Sequence, residues 1–520
     1  MPVFALKNWN VTNPTLNSVF EGKPFTRQQT IVLSGFLTLQ LACFKLFYPF
    51  PDFFGDSYNY IFAASHNLDV NIWPIGYSKF LQAFHGITNS AFLLVLFQYF
   101  SLEAAYFHLY QTIVRCCPTG RRARILILFF FFFNPLNLYV SNYVSSEPLF
   151  LALSLVWLTE LLYTIYKPSW LHLIILSVAF LIAFTFRYNA MYYPLIAVVG
   201  FLISKQPIVQ KIIGIVLGPL LIIPFIMFSS NAAKQLSGVS QFPPIYGGWQ
   251  WGNNALYFRE YIQEDSNAFP TPQTAELDRI ARNYFRTVPP EDRDLAPYVG
   301  NFFIQQREGP LRQYQLKHFK SSESIEAWAK AAPMFKDYGI WLIKRHPLAF
   351  GRYYLLLNTK NYFFPPLEKL EIYNLDEDNV GQSIANWFGF NSTKITTIFP
   401  RNFQGTFLFF YPYLFFFLNF YFCWSLFFYI KQKGFRKCPR PFAIVITLIT
   451  LLLLTNFGFS IFANIIAFRY QLFPMSVLFT FALILDNYIK EHLERKSPAP
   501  TPAADSTIPL SHSEIGSKLT

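Results

Sequence analysis

Ten apolar runs, most of them near the roughly 20 residues needed to cross the hydrocarbon core of a bilayer, leave this chain few ways to fold. They are Ile31 to Tyr48, Ser90 to Tyr110, Ile125 to Val140, Leu149 to Tyr166, Leu171 to Phe186, Tyr192 to Ser204, Ile212 to Phe228, Thr406 to Ile430, Phe442 to Ala463 and Tyr470 to Ile489. Backbone in hydrocarbon must satisfy its own N–H and C=O groups, so runs of this kind become helices. Only 14% of the residues are charged, against about 25% in a soluble domain. The expected class is an all-α polytopic membrane protein. Several runs are short, so the spans number about 10, within a range of 8 to 13.

The basic residues set an orientation. Arg115, Arg121, Arg122 and Arg124, then Lys167, then Lys205 and Lys211, then Lys431 to Arg440, and finally Lys490, Arg495 and Lys496 fall in alternate loops. Lys7, Lys23 and Arg27 share their side, which the excess of positive charge makes cytoplasmic. The net charge of +13 is thereby explained as topology rather than as a nucleic-acid interface. Residues 1–30 are then a cytoplasmic N-terminus and 31–228 a transmembrane module whose first outer loop is 49–88. Residues 229–405 form an outer or interfacial region, 406–489 the C-terminal spans, and 490–520 a cytoplasmic tail whose Ser-Pro-Ala-Pro-Thr-Pro stretch reads as disordered. No cleavable signal peptide is evident, because the first apolar run is long enough to stay as an anchor. The five cysteines fall in spans or cytoplasmic loops, so no disulfide framework supports the outer region.

A few polar groups stand out on the outer side. Asp52 and Asp56 occupy the aromatic stretch that follows the first span, where a carboxylate is costly. Glu147 opens the fourth run, and Arg187 and Arg469 sit at outer ends of spans where basic residues are scarce. Each has a plainer reading. Asp56 is a candidate N-cap for a helix starting at Tyr58, Asp52 a turn residue, Glu147 a partner for a helix dipole, and the arginines snorkelling anchors. Lys79 and His346 are interfacial anchors or substrate contacts, Tyr58 is a further substrate-contact candidate, and Lys45 is close enough to the outer end of its span to snorkel. Glu103 and Glu160, inside apolar runs, are expected to pair with neighbouring helices. No phosphate-binding Gly-rich loop, His-Glu-x-x-His or paired Cys-x-x-Cys is present. No cofactor is implied; a divalent metal is compatible with the carboxylates but not indicated by them.

Asp56, Trp73-Pro-Ile-Gly-Tyr-Ser-Lys-Phe-Leu81, Ser145-Ser-Glu-Pro-Leu-Phe-Leu151, Phe186-Arg-Tyr-Asn-Ala190 and Ala467-Phe-Arg-Tyr-Gln-Leu-Phe-Pro474 together resemble the polytopic lipid-linked-sugar glycosyltransferases of the GT-C superfamily. The nearest subgroup is that of the dolichyl-phosphate-mannose and aminoarabinose transferases. The resemblance implies a GT-C-like membrane core and transfer of a sugar from a polyprenyl-phosphate donor to a glycan, lipid or protein acceptor on the extracytoplasmic side. The acidic pair in such relatives is commonly Asp-Glu or Asp-Asp; here it is Asp-Ser, which leaves Asp56, or alternatively Asp52, as the base. Arg187 and Arg469 are the implied donor-phosphate ligands. A bacterial inner membrane is the expected location, or the endoplasmic reticulum in a eukaryote. A polysaccharide polymerase or O-antigen ligase, and a non-enzymatic lipid or glycolipid transporter, are the competing readings.

Overall fold

A computed structural model describes residues 25–319 and 324–494; the N-terminal segment before residue 25 and the tail from residue 495 lie outside the described residues. In chain order the principal helices are α1 (Arg27–Phe47), α2 (Gly55–Ser65), α3 (Gly76–His85), α4 (Ala91–Cys116), α5 (Arg121–Phe132), α6 (Pro135–Asn142), α7 (Glu147–Tyr166), α8 (Trp170–Phe186), α9 (Tyr193–Ile203), α10 (Ile208–Ser237), α11 (Tyr246–Arg259), α12 (Ile325–Arg345), α13 (Leu356–Phe363), α14 (Tyr411–Lys431), α15 (Arg440–Ala463) and α16 (Leu472–Tyr488). No strand forms among the described residues, which hold only two isolated bridges. Eight stretches are helical, long and apolar enough to cross a membrane, and α8 and α9 are shorter apolar helices. Each of the ten apolar runs is therefore helical, the third being split between Phe132 and Pro135 into α5 and α6.

Burial separates the rim of this bundle from its centre. Only 17% of the most apolar window of α10 is buried, whereas 78% is buried in the last span, Phe468–Leu493. A helix that is apolar all round yet uncovered suits a lipid contact, and one that is apolar and enclosed suits a core. The loops sort to two ends. Residues near Pro118, Ile203, Lys437 and Asn487 meet one another: the Tyr488 hydroxyl donates to the Lys437 carbonyl, and Asn487 to the Pro118 carbonyl. The opposite end carries residues 48–88, the start of α7, the end of α8, and a lobe built from 238–402.

That lobe has its own core around Trp249, Phe335, Tyr338 and Leu342. Its tightest contact joins α11 to α12, where a Cβ on Gly248 would lie 2.0 Å from the Ala332 carbonyl oxygen and one on Gly339 would lie 2.2 Å from that of Trp251. No side chain fits at either point. The indole of Trp249 then stacks on Trp328 at 4.1 Å and donates to its carbonyl. Beyond α12 the chain runs through Pro347–Phe350, a π-helical turn over Gly351–Leu355, and α13. α13 lies along the last turns of α15: Asn358 donates to the Ile461 carbonyl and Tyr362 packs edge-on against Phe457. The chain then turns back at Pro365 and Pro366, where the Pro366 carbonyl accepts from the Phe468 amide at 2.8 Å.

Two expectations change. The boundary at residue 228 falls inside a helix, since α10 continues to Ser237. Lys45 does not reach outward; it is buried, and its ammonium donates to Asn142 Oδ1 at 2.9 Å, because the last residue of α6 offers a nearer partner than the surface.

Candidate functional site

Four chain breaks bring the outer polar groups together. α2 begins at Gly55, so Asp56 is its second residue and Phe54 its N-cap; Asp56 does not cap a helix starting at Tyr58. A carboxylate in that first turn is still favoured by the helix dipole. Glu147 is the first residue of α7, followed by Pro148, which needs no N–H partner there. The remaining two breaks share a pattern. Phe186-Arg-Tyr-Asn189 ends α8 and enters the 3-10 turn Tyr188–Tyr192, while Phe468-Arg-Tyr-Gln471 forms the 3-10 turn that leads into α16. In both, the arginine sits where a span meets a 3-10 turn: Arg187 at the end of α8 and Arg469 at the entry to α16.

The two arginines converge on one oxygen. Glu147 Oε1 accepts from Arg187 Nη1 at 2.6 Å and from Arg469 Nη1 at 3.0 Å. Arg469 Nη1 also donates to Asp56 Oδ2 at 2.8 Å, its Nε to Glu368 Oε2 at 3.2 Å, and its Nη2 to the Tyr470 hydroxyl at 2.8 Å. Its guanidinium lies over the rings of Phe54 and Tyr470, at 5.2 and 4.8 Å. Arg187 lies over the same Tyr470 ring at 5.0 Å, and its Nη1 reaches Ser146 Oγ, which also meets the Tyr60 hydroxyl at 3.0 Å. Three carboxylates facing two guanidinium groups leave one negative charge in excess. Lys369 lines the same small hollow as Glu147 and Arg469, with its ammonium over the Phe54 ring at 5.7 Å. Buried charges persist only when paired and hydrogen-bonded, and at 8% and 6% exposure Arg469 and Glu147 are held by that rule.

A cavity of about 230 Å³ opens beside this cluster, walled by the first turn of α11, the break after α8 and the approach to α16. Asp56 and Arg187, with the Tyr60 and Tyr470 hydroxyls, form its polar side, and Trp73, Tyr246 and Gln250 face them from the loop before α3 and from the lobe. Trp73 is fixed there because α3 starts at Gly76, whose Cβ position lies 2.6 Å from the Thr185 carbonyl oxygen at the end of α8. Arg469 and Glu147 stand behind this wall, in the two smaller hollows on its far side.

The other candidates lie elsewhere. Asp52 is buried away from the cavity wall, pairing its backbone with residues 142–144 and accepting from the Asn374 amide at 2.9 Å and Gln404 Nε2 at 3.4 Å. Burial pushes its carboxyl up to about 7, against those donors. The Tyr58 hydroxyl accepts from the Gly381 amide, Lys79 binds Asn67 and Asp69, and His346 shares Glu264 with Arg345. Within the spans, Glu103 accepts from Asn137 at 3.0 Å, and Glu160 is held by His108 and His172 at 2.7 and 2.6 Å. Among the described residues no group of three or more His, Cys, Asp and Glu side chains is placed to hold a metal; the carboxylates of the cluster close on Arg469 instead.

Glu368 was not anticipated. It sits among several acids between residues 368 and 378, which hides it; its backbone is left-handed at φ +55, a conformation uncommon for a non-glycine residue. The repeated Phe-Arg-Tyr-Asn/Gln turn was the available signal that the two arginines act together. The fold and the site define a polytopic helical membrane-type protein with an ion-paired cluster at one end of its spans. No family model matches the chain, and no curated protein or solved structure is similar to it.

Proposed function

We propose that this chain is an integral-membrane inverting glycosyltransferase with a GT-C-like core, moving a sugar from a polyprenyl-phosphate donor to a glycan, lipid or protein acceptor on the extracytoplasmic face. The observation that carries this reading is Asp56: a carboxylate on the wall of a cavity at the span ends, oriented by Arg469 and standing beside Arg187. In the reaction the Asp56 carboxylate takes the acceptor hydroxyl proton. The acceptor oxygen bonds to C1 of the sugar as the C1–O bond to phosphate breaks, and polyprenyl phosphate leaves with the electron pair. Inversion needs one carboxylate, and the cavity wall supplies one. The leaving phosphate is met by Arg187, the arginine that lines the cavity, through charge-assisted hydrogen bonds. Arg469 serves from behind by fixing Asp56 and Glu147.

The test is transfer by the purified, reconstituted chain from radiolabelled polyprenyl-phosphate sugars. Asp56→Asn keeps the shape and an acceptor for Arg469 but cannot take a proton, so turnover falls about 10²-fold or more while donor binding persists. Near-normal turnover in Asp56→Asn would remove Asp56 from the chemistry, and absence of transfer from every donor tried would remove the glycosyltransferase reading itself.

A further inference from the structure

The cavity beside Asp56 has a wall chemistry of its own. Beyond Asp56 and Arg187, both engaged in ion pairs, its polar lining is uncharged: the amides of Asn189, Gln250, Asn301, Asn464 and Gln471, with tyrosine and serine hydroxyls. Two aromatic rings, Trp73 and Tyr246, stand 4.6 Å apart at its edge. Six buried polar atoms on these residues have no protein partner: Trp73 Nε1, the Tyr246 hydroxyl, Gln250 Oε1, Asn301 Oδ1, and both Oε1 and Nε2 of Gln471. Gln471 is fully buried and Asn301 is 3% exposed, so neither amide is free to turn to solvent. Buried polar groups are almost always paired, and a concentration of exceptions around one cavity calls for an occupant.

We infer that this cavity takes a single uncharged monosaccharide ring. The inference rests on the glycosyl-transfer reading and names the kind of sugar it moves. Amides both donate and accept, as sugar hydroxyls do, so a wall of amides matches a polyol in either direction. Aromatic faces cover the C–H face of a pyranose. A uronic acid would bring a carboxylate against a wall whose one arginine is already paired, and an amino sugar would bring an ammonium to a carboxylate already held by Arg469. Either would be buried without a counter-charge. Size agrees, since about 230 Å³ is below the roughly 300–1,000 Å³ of sites for drug-sized ligands. One ring fits better than two.

Gln471→Leu separates binding from architecture, because the two roles move in opposite directions. If the amide is there for a ligand, replacing it with an isosteric apolar group removes two unpaired atoms from the empty protein, so the unfolding midpoint of the reconstituted chain stays or rises. Sugar binding then weakens by about tenfold or more, the loss of one ordinary hydrogen bond. The probes are the methyl glycosides of glucose, galactose and mannose, against those of glucuronic acid and glucosamine. At least one neutral glycoside raises the wild-type midpoint saturably, the charged pair does not, and Gln471→Leu loses the shift. A variant that does not fold is replaced by Asn301→Gly, which keeps the left-handed backbone at φ +63 and deletes another unpaired amide oxygen. In the transfer assay the same variants raise KM for the donor if the ring belongs to the donor, or for the acceptor if it belongs to the acceptor. Binding of the charged glycosides in place of the neutral ones, or unchanged neutral binding in the variants, overturns the inference. Transfer confined to charged sugars leaves the glycosyltransferase standing and removes this site; saturable neutral binding with no transfer from any donor does the reverse.

Discussion

Arg469 and Arg187 carry the same charge to the same glutamate, yet their loss has different consequences. Arg469 is buried among three carboxylates, so removing it leaves Asp56, Glu147 and Glu368 facing one another, a repulsion that falls on folding as well as on chemistry. Arg187 lines the cavity, so under the proposed reaction its loss falls on ligand binding. Asp52 gives a pH test. Its carboxyl is raised to about 7 from an ordinary value near 4 because burial disfavours the charge, so the folded state holds the proton more tightly than the unfolded chain. The stability that Asp52 contributes to the fold is therefore fully present below about pH 4 and is lost as pH rises through about 7, by up to about 4 kcal/mol on a shift of three units. Asp52→Asn, a permanent copy of the protonated form, should flatten the dependence: between pH 5.5 and 8.5 the wild-type unfolding midpoint falls and that of the variant barely moves. Equal slopes would place the titration elsewhere. Asp56, Glu147, Arg187 and Arg469 were legible as a set because charge at the outer ends of spans is expensive. Glu368 and Gln471 were not, because a carboxylate in an acidic stretch and an amide beside an arginine become exceptional only once their surroundings are known.

At the scale of elements, the apolar helices were readable because lipid imposes length and composition on each one separately. The lobe was not, because its helices are specified by contacts with each other. Gly248 and Gly339 show this: neither ends a helix or makes a turn, and they are required by the carbonyls of Ala332 and Trp251, 84 and 88 residues away, that only the fold brings near. The Arg259–Asp278 pair is another case. Arg259 donates to Asp278 through Nε at 2.5 Å and Nη2 at 2.9 Å, and Ser266 and Tyr338 complete the carboxylate's shell. Asp278 is fully buried, joining the helix Pro272–Thr287 to α11 and α12. Asp278→Ala leaves a buried guanidinium with only the Ile262 and Glu264 carbonyls, and should cost about 3–5 kcal/mol. Thermal or denaturant unfolding of the purified chain reads this directly; a loss under about 1 kcal/mol would show that water replaces the carboxylate at no penalty.

For the whole molecule the question is which way the bundle faces. The polar cluster, its cavity and the lobe share one end of the helices, and at the other end the last span meets Pro118 and Lys437 while Arg440 reaches the Ile203 carbonyl. That grouping is a property of the fold. Charge alone assigns the basic end to the cytoplasm, and the candidate site lies at the opposite end of the helices, the end at which the proposed reaction would run. Single cysteines test the assignment in a chain whose five native cysteines are replaced, none of which forms a disulfide. Glu291→Cys lies on an exposed turn of the lobe and Arg436→Cys on the exposed basic loop between α14 and α15. A membrane-impermeant maleimide should label position 291 in intact cells and position 436 only after the membrane is opened. The reverse pattern would put the cavity in the cytoplasm, where nucleotide-activated sugars would be within reach. A lipid-linked donor would then be unnecessary, and Arg187 would have to be explained without a polyprenyl phosphate.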